Sequence, residues 1–193
     1  MSYTVRPMQP GDVSTVIAIE RLSFPTPWPA SAFLYELRQT DSYYYVLLQS
    51  AVHRNVHPDR GWRHWLHRIS GLPEEDQVLG YVGFRFRGDQ AHISTIAVHP
   101  DWRGRGLGEL LLLTALEKAL TQRASSVTLE MRVSNDVARR LYHKYGFQLQ
   151  GTLTRYYRDG EDAQLMAVEV GNGVYQARLA RLRRVLERRL HDQ

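Results

Sequence analysis

The sequence predicts a single α/β (α+β) domain, a mixed sheet covered by helices on both faces. Three observations carry this. Gly88-Asp89 and Asp159-Gly160 each join runs rich in β-branched, aromatic and other apolar residues, and so read as strand turns. Between them the chain passes from strand to glycine-rich loop to long apolar helix and back to strand, the order of a strand–helix–strand unit. The chain has 193 residues, 43% hydrophobic and 23% charged, which suits one domain with an ordinary core.

Taken in order, residues 3–6 read as a short strand. Pro10-Gly11-Asp12 opens a helix, with Asp12 as its cap and Val13, Val16, Ile17 and Leu22 on one face. Phe24-Pro25-Thr26-Pro27-Trp28-Pro29 cannot continue that helix and is a loop. Residues 31–38 form a second helix and the aromatic, apolar run 43–49 a strand. Residues 51–77 are polar with scattered Trp, His, Gly and Pro, and read as a long loop insertion. Strands at 78–87 and 90–99 make the first hairpin. Residues 106–120 are a strongly apolar helix, 127–133 an alternating strand, and 135–145 a helix closed by Gly146. Residues 147–157 and 163–170 are the closing strands. Residues 175–190 are a basic amphipathic helix, with Tyr175, Leu179, Leu182, Leu186 and Leu190 on one side among many arginines.

Composition removes several classes. With no cysteine there is no disulfide, thiolate zinc site or cysteine nucleophile. No stretch has the apolar length of a membrane span, and MSYTVRPMQPGD lacks the apolar run of a signal peptide, so the expected location is the cytoplasm, with no membrane partner. The net charge of +5 suits anionic partners such as nucleotides or ribosomal RNA, although the charge is uneven, with arginine concentrated after Tyr175.

The segment with most chemistry is Arg103-Gly104-Arg105-Gly106-Leu107-Gly108, which follows a strand and opens a helix. Its glycines allow positive φ and close approach of backbone to ligand. The first amides of the helix lack intrahelical partners and sit at the positive end of its dipole, which makes an anion site, and Arg103 and Arg105 add charge. A pyrophosphate fits. The glycines fall at every second residue, so this is not G-x-G-x-x-G, and no Lys-Ser/Thr follows as in a Walker loop.

The pattern Arg-x-x-Gly-x-Gly after Ile96-Ala97-Val98 resembles the acetyl-CoA signature of the GNAT N-acetyltransferases. Leu129-Glu130-Met131-Arg132-Val133-Ser134-Asn135 and Leu141-Tyr142-x-x-Tyr145-Gly146-Phe147 look like the next two motifs of that superfamily. Arg155-Tyr156-Tyr157, Glu161-Asp162-Ala163, Met166 and the early Phe24-Pro25…Trp28 loop resemble the RimI-like, ribosomal-protein-alanine subfamily. The resemblance implies the GNAT fold, with a mixed, mostly antiparallel central sheet. Residues 1–170 would form the acetyltransferase domain, interrupted by the 51–77 insertion, and residues 171–193 a basic C-terminal helix. It also implies acetyl-CoA as co-substrate, no metal, and direct attack of an amine in a ternary complex. The expected reaction is acetylation of the α-amino group of a protein N-terminus, a ribosomal protein beginning with alanine being the leading acceptor.

Several residues are candidates by that match. Ile96, Ala97, Val98, Arg103, Gly104, Arg105, Gly106, Leu107 and Gly108 would hold the cofactor, with a backbone amide near Val98 on the thioester oxygen. Asn135 would bond the CoA arm; it is also a good N-cap for the following helix. Glu130 is the candidate base, since an α-amine of pKa near 7.7–8.0 needs only modest help. The other reading of Glu130 is a surface partner of Arg132. Tyr142 is the candidate acid for the leaving thiolate; its other reading is core packing beside Leu141 and Phe147, and Tyr145 is a rival on the same helix. Phe24, Trp28, Tyr156 and Tyr157 would line the acceptor side, or be ordinary edge aromatics.

Two regions depart from the pattern. The insertion carries His53, His57, His64 and His67, read as exposed loop residues rather than metal ligands. The C-terminal helix either packs its apolar stripe on the domain or docks on ribosome or RNA or in a dimer, the oligomeric state being left open. Acetylation of a lysine or a small amine is the alternative activity, and an acyl-CoA-binding module without catalysis is the remaining class.

Overall fold

Residues 3–49 and 77–192 are described by the structure, a computed structural model. They form β1 (Tyr3–Pro7), a 3-10 turn (Pro10–Asp12), α1 (Val13–Ser23), α2 (Ala30–Glu36), β2 (Ser42–Gln49), β3 (Gln77–Arg87), β4 (Gln90–Val98), a second 3-10 turn (Pro100–Trp102) and α3 (Leu107–Thr121). Then come β5 (Ser126–Arg132), α4 (Asp136–Lys144), β6 (Gln148–Leu153), β7 (Ala163–Glu169) and α5 (Gly173–His191). The insertion's histidines lie outside the described residues, and Gln77 is the first residue of β3 rather than the last of a loop.

The strands make one sheet in the order β1-β2-β3-β4-β5-β7-β6. All neighbours pair antiparallel except β4 and β5, which α3 joins as a crossover. The expected mixed, mostly antiparallel sheet is what forms. Strand alternation sends side chains to two cores. On one face, α1 and α2 cover Tyr44, Val46, Leu48 and Tyr81. On the other, α3, α4 and α5 cover a larger core that includes Leu79, Phe84, Ile93, Leu129 and Met166. α3 is apolar nearly all round because it is buried nearly all round, with Leu111, Leu112, Leu113 and Leu116 all at 0% exposure.

The stripe of α5 is buried as read: Tyr175, Leu179, Leu186 and Leu190 enter the larger core and Leu182 packs against it. Asn172 caps the helix by accepting from the Tyr175 amide at 2.8 Å.

Three local readings are corrected. Asp12 does not cap α1. Its carboxylate accepts both Arg6 nitrogens, at 2.7 and 2.8 Å, and the Gln9 amide at 2.7 Å, a stronger charge-assisted pairing than a cap. Gly106 precedes its helix as the N-cap, at φ 83°. The strand expected to run from 147 to 157 stops at Leu153, because Arg155 turns the chain at φ 51°. Tyr156 and Tyr157 therefore lie in the connection to β7, not on a strand edge.

Candidate active site

The site is built where the sheet comes apart. β4 and β5 pair only from Gln90↔Ser126 to Ile93↔Leu129. Beyond that β4 stays with β3 to the rung Gly80↔Val98, and β5 stays with β7 to Arg132↔Ala163. The register of β3 on β4 jumps from Phe84↔Ile93 to Gly83↔Thr95, so Ser94 is an extra, bulged residue at the point of divergence. A wedge thus opens between residues 95–98 and 130–132, where β5 no longer pairs with β4.

The glycine loop closes the β4 side of this wedge. Gly104 and Gly106 have φ of 77° and 83°. The first helical bond of α3 runs from the Leu110 amide to the Gly106 carbonyl, at 3.0 Å. Among the described residues, nothing accepts from the amides of residues 104 to 109. Consecutive free amides at a helix N-terminus suit an anion of extended shape, such as a diphosphate. Two candidates differ from expectation in their engagement. Arg103 is a strut: its Nε donates to the Val98 carbonyl at 3.0 Å and its Nη2 to Ser23 Oγ at 2.9 Å. Arg105 lies over the Trp102 ring, 4.5 Å from its centroid. Gly108 packs against Val98, Leu107 is buried, and Ile96 and Ala97 face opposite cores from the splayed half of β4.

Glu109, one turn into α3, is a residue that sequence reading missed. It is almost fully buried, and Lys144, Tyr145 and Arg189 all donate to it, the last two at 3.0 and 2.5 Å. Burial opposes its ionisation, but these three hydrogen bonds outweigh that and hold its pKa below the ordinary carboxylate value. The same contact separates the rival tyrosines. Tyr145 is committed to Glu109. Tyr142 is buried beside Phe147, their ring centroids 5.6 Å apart, yet its hydroxyl has no partner among the described residues. Burial raises its pKa well above the usual phenol value, and the neighbouring Tyr157 adds to the rise, so it stays protonated and able to donate.

On the β5 side, Glu130 is not paired with Arg132. Its Oε2 lies 3.2 Å from Nε2 of His92, whose Nδ1 is 3.0 Å from Thr128 Oγ1. His92 stands opposite Thr128 in the parallel ladder, one rung before the strands part. Arg132 instead holds Asp159 and Glu161, at 2.8 and 2.6 Å, and lies 4.0 Å over the Tyr157 ring. Glu161 also accepts the Ser134 amide at 3.0 Å; hydrogen bonds from Ser134 and then Arg132 lower its pKa to about 2. These bonds lash the 154–162 connection to the end of β5. They bring Tyr156 and Tyr157, edge to face at 5.2 Å, into the field of Glu130. Burial leads in pushing the Tyr157 phenol up to about 12. Tyr157 is thus the shared neighbour of Glu130 and Tyr142.

The Phe24–Trp28 loop is anchored to the same wedge. Glu20, 1% exposed, accepts the Trp28 amide at 3.0 Å and the Tyr81 hydroxyl, which in turn lies 3.3 Å from Thr95 Oγ1 on splayed β4. Burial raises the Glu20 pKa to about 7. Trp28 packs on Phe33 at 5.7 Å, and Phe24 packs against the core beneath α1 and α2. Asn135 caps α4, its side chain accepting the Ala138 amide at 3.1 Å. Sequence reading missed Glu20, His92, Glu109 and Arg189; each owes its place to a partner at least 36 residues away or to a backbone group across a loop, and no local spacing signals either.

Comparison with known proteins agrees with this architecture. Residues 14–147 match the model of the Acetyltransferase (GNAT) family. A Bacillus subtilis (strain 168) relative, provisionally named a ribosomal protein bS18-alanine N-acetyltransferase, is 34% identical over 167 residues, covering 86% of this chain and 95% of its own. The N-alpha-acetyltransferase RimI of Mycobacterium tuberculosis is 32% identical over 151 residues, 76% of this chain and 78% of its own. The crystal structure of the ribosomal-protein-S18-alanine N-acetyltransferase from Escherichia coli superposes with a TM-score of 0.71 at 23% identity, covering 89% of this chain and 96% of that one. A divided sheet, a glycine loop of free amides in the wedge and these matches lead to one conclusion: the chain belongs to the GNAT acetyltransferase family and is a RimI-like N-acetyltransferase.

Proposed function

We propose that this enzyme acetylates the α-amino group of a protein N-terminus, with a ribosomal protein beginning with alanine as the expected acceptor. The observation that carries the donor half is the run of free amides from 104 to 109 beside the wedge. These amides would seat the diphosphate of acetyl-CoA, the co-substrate of GNAT acetyltransferases, and the pantetheine arm would follow the gap between β4 and β5. The donor supplies a thioester: its acetyl carbon forms a C–N bond to the amine as the C–S bond breaks.

The chain's own groups manage the protons and the charge. Glu130 accepts the proton that the α-ammonium loses to become the attacking neutral amine, directly or through a water. His92 fixes the orientation of the Glu130 carboxylate and is itself fixed by Thr128. A free β4 amide near Val98 stabilises the oxyanion that develops on the thioester carbonyl. Tyr142, protonated and without a competing partner among the described residues, donates a hydrogen bond to the departing sulfur, which takes up the second proton released by the acylated nitrogen. Tyr156, Tyr157 and the Phe24–Trp28 loop wall the acceptor side and keep bulk water from the amine. Two adjacent walls, each tied into the core by a buried or charged bond, suit an extended peptide end.

A panel of N-terminal peptides varying in the first two residues, incubated with acetyl-CoA and read by mass spectrometry, tests this. Label on the α-amine, with alanine-initiated peptides favoured, is the expected result. Label confined to lysine Nε or to a small amine would sink the acceptor reading, and binding of acetyl-CoA without turnover of any amine would sink catalysis.

A further inference from the structure

The amides of the glycine loop form a phosphate seat from backbone alone, and the loop's two arginines are engaged with Val98, Ser23 and Trp102. A cation reaches the loop from elsewhere. Arg189, in the last turns of α5, donates from Nη2 to Glu109 Oε2 at 2.5 Å. Its guanidinium lies against Gly106: a Cβ on that residue would stand 2.6 Å from Nη2 and 3.3 Å from Nε and Cζ. Glycine at 106 is favoured by φ 83°, and it lets the Arg189 guanidinium lie directly against the loop.

We propose that Arg189 is a phosphate-binding residue of the acetyl-CoA site, supplied by a helix outside the matched residues 14–147 and resting on the donor reading above. Three features support it. α5 is fixed antiparallel along α3, by Arg183 on Glu117 at one point and Arg189 on Glu109 at another. Tyr175 Oη donates to the Tyr145 carbonyl at 3.1 Å and Arg178 to the Lys144 carbonyl at 2.8 Å, so the guanidinium is delivered by a braced helix. A guanidinium has five N–H donors, and among the described residues only Nη2 of Arg189 is used, leaving Nε and Nη1 free beside the loop. Finally, Glu109 would repel a phosphate seated on the first turn of α3. Arg189 and Lys144 cancel that charge, and the arginine has donors to spare for the anion.

Titration calorimetry of the full chain with three donors tests the idea: acetyl-CoA, acetyl-dephospho-CoA, and S-acetylpantetheine, which has no phosphate, the weakest followed by ligand-observed NMR. Arg189→Gln should weaken acetyl-CoA about tenfold or more, as expected for loss of a charged hydrogen bond, and leave S-acetylpantetheine unaffected. Loss with both nucleotides places the contact on the diphosphate; loss with acetyl-CoA alone places it on the ribose phosphate. Arg188→Gln, removing the neighbouring charge, should change little, and the melting temperatures of the free proteins check that the fold survives. Equal loss with all three donors would make Arg189 a structural brace and overturn the proposal, as would no loss with any. A wild-type chain that binds no acetyl-CoA would instead overturn the donor reading beneath it.

Discussion

The two sides of the wedge are built from different materials. On the β4 side the groups offered to a ligand are backbone amides, fixed by two glycines at positive φ and the start of a buried helix. On the β5 side they are side chains: Glu130 and Tyr157, each held by a partner distant in sequence, and Tyr142 and Tyr156, which pack on Phe147 and Tyr157. On the function proposed above, the first construction would bind the donor and the second would position chemistry and acceptor, and the second can be retuned by changing one partner. Substitutions on the two sides should fail differently: the β4 side in affinity for the donor, the β5 side in turnover.

The largest effect is expected at the base. Glu130→Gln should lower kcat about a hundredfold with little change in acetyl-CoA affinity; wild-type turnover in steady-state assays would remove Glu130 from the chemistry. Gly106→Val sharpens the contrast from the other side. It places a β-branched residue at φ 83° and displaces Arg189, so acetyl-CoA binding by calorimetry should weaken more than tenfold. Tyr142→Phe should lower kcat about tenfold and leave donor affinity unchanged; an equal fall in both would return this residue to simple packing. His92→Ala should lower kcat severalfold with donor affinity unchanged, since it removes the side chain that holds the Glu130 carboxylate. Wild-type kcat would leave His92 as no more than a surface pair.

The last prediction concerns stability rather than rate. Glu20 has its pKa raised to about 7 by burial, so the folded state favours its proton. Stability from this group is fully present below the unfolded value near 4.5 and declines as pH rises toward 7, by up to about 3 kcal/mol. Glu20→Gln, which keeps the acceptor for Trp28, should flatten that decline in denaturant titrations at pH 5 and 8. An unchanged decline would assign it to other groups.

The same division explains what could be read in advance. The sheet type, most of the elements and the glycine loop are written locally, in alternation, apolar periodicity and Gly-x-Gly spacing, so they are legible from residues 88–89 or 104–108 alone. The β5 side is not. Glu130 with Arg132 is the natural reading of one strand face, because both lie on it two residues apart; the fold instead sends Arg132 to a turn 27 and 29 residues on and gives Glu130 a histidine from the next strand. Likewise the strand expected through Tyr157 ended early, because Arg155 takes positive φ while its amide donates to Asp162 Oδ1 at 2.7 Å. Aromatic content alone could not separate an edge strand from a tethered turn.

One extra residue in β4 has a wider effect than opening the wedge. Ile93 and Val98 both enter the larger core although an odd number of steps separates them, while Thr95 and Ala97 face α1. An unbroken pleat would have sent Ile93 and Val98 to opposite sides. Ser94 acts as a phase shifter, letting a single strand change allegiance midway. Excising that serine would make the pleat continuous, with Ile93, Ile96 and Val98 still facing the larger core and Thr95 and Ala97 still facing α1; only the extra residue at the parting of β4 from β5 would go. A single-codon deletion at 94 should therefore still fold, and acetyl-CoA binding by calorimetry should weaken if that residue is what parts β4 from β5.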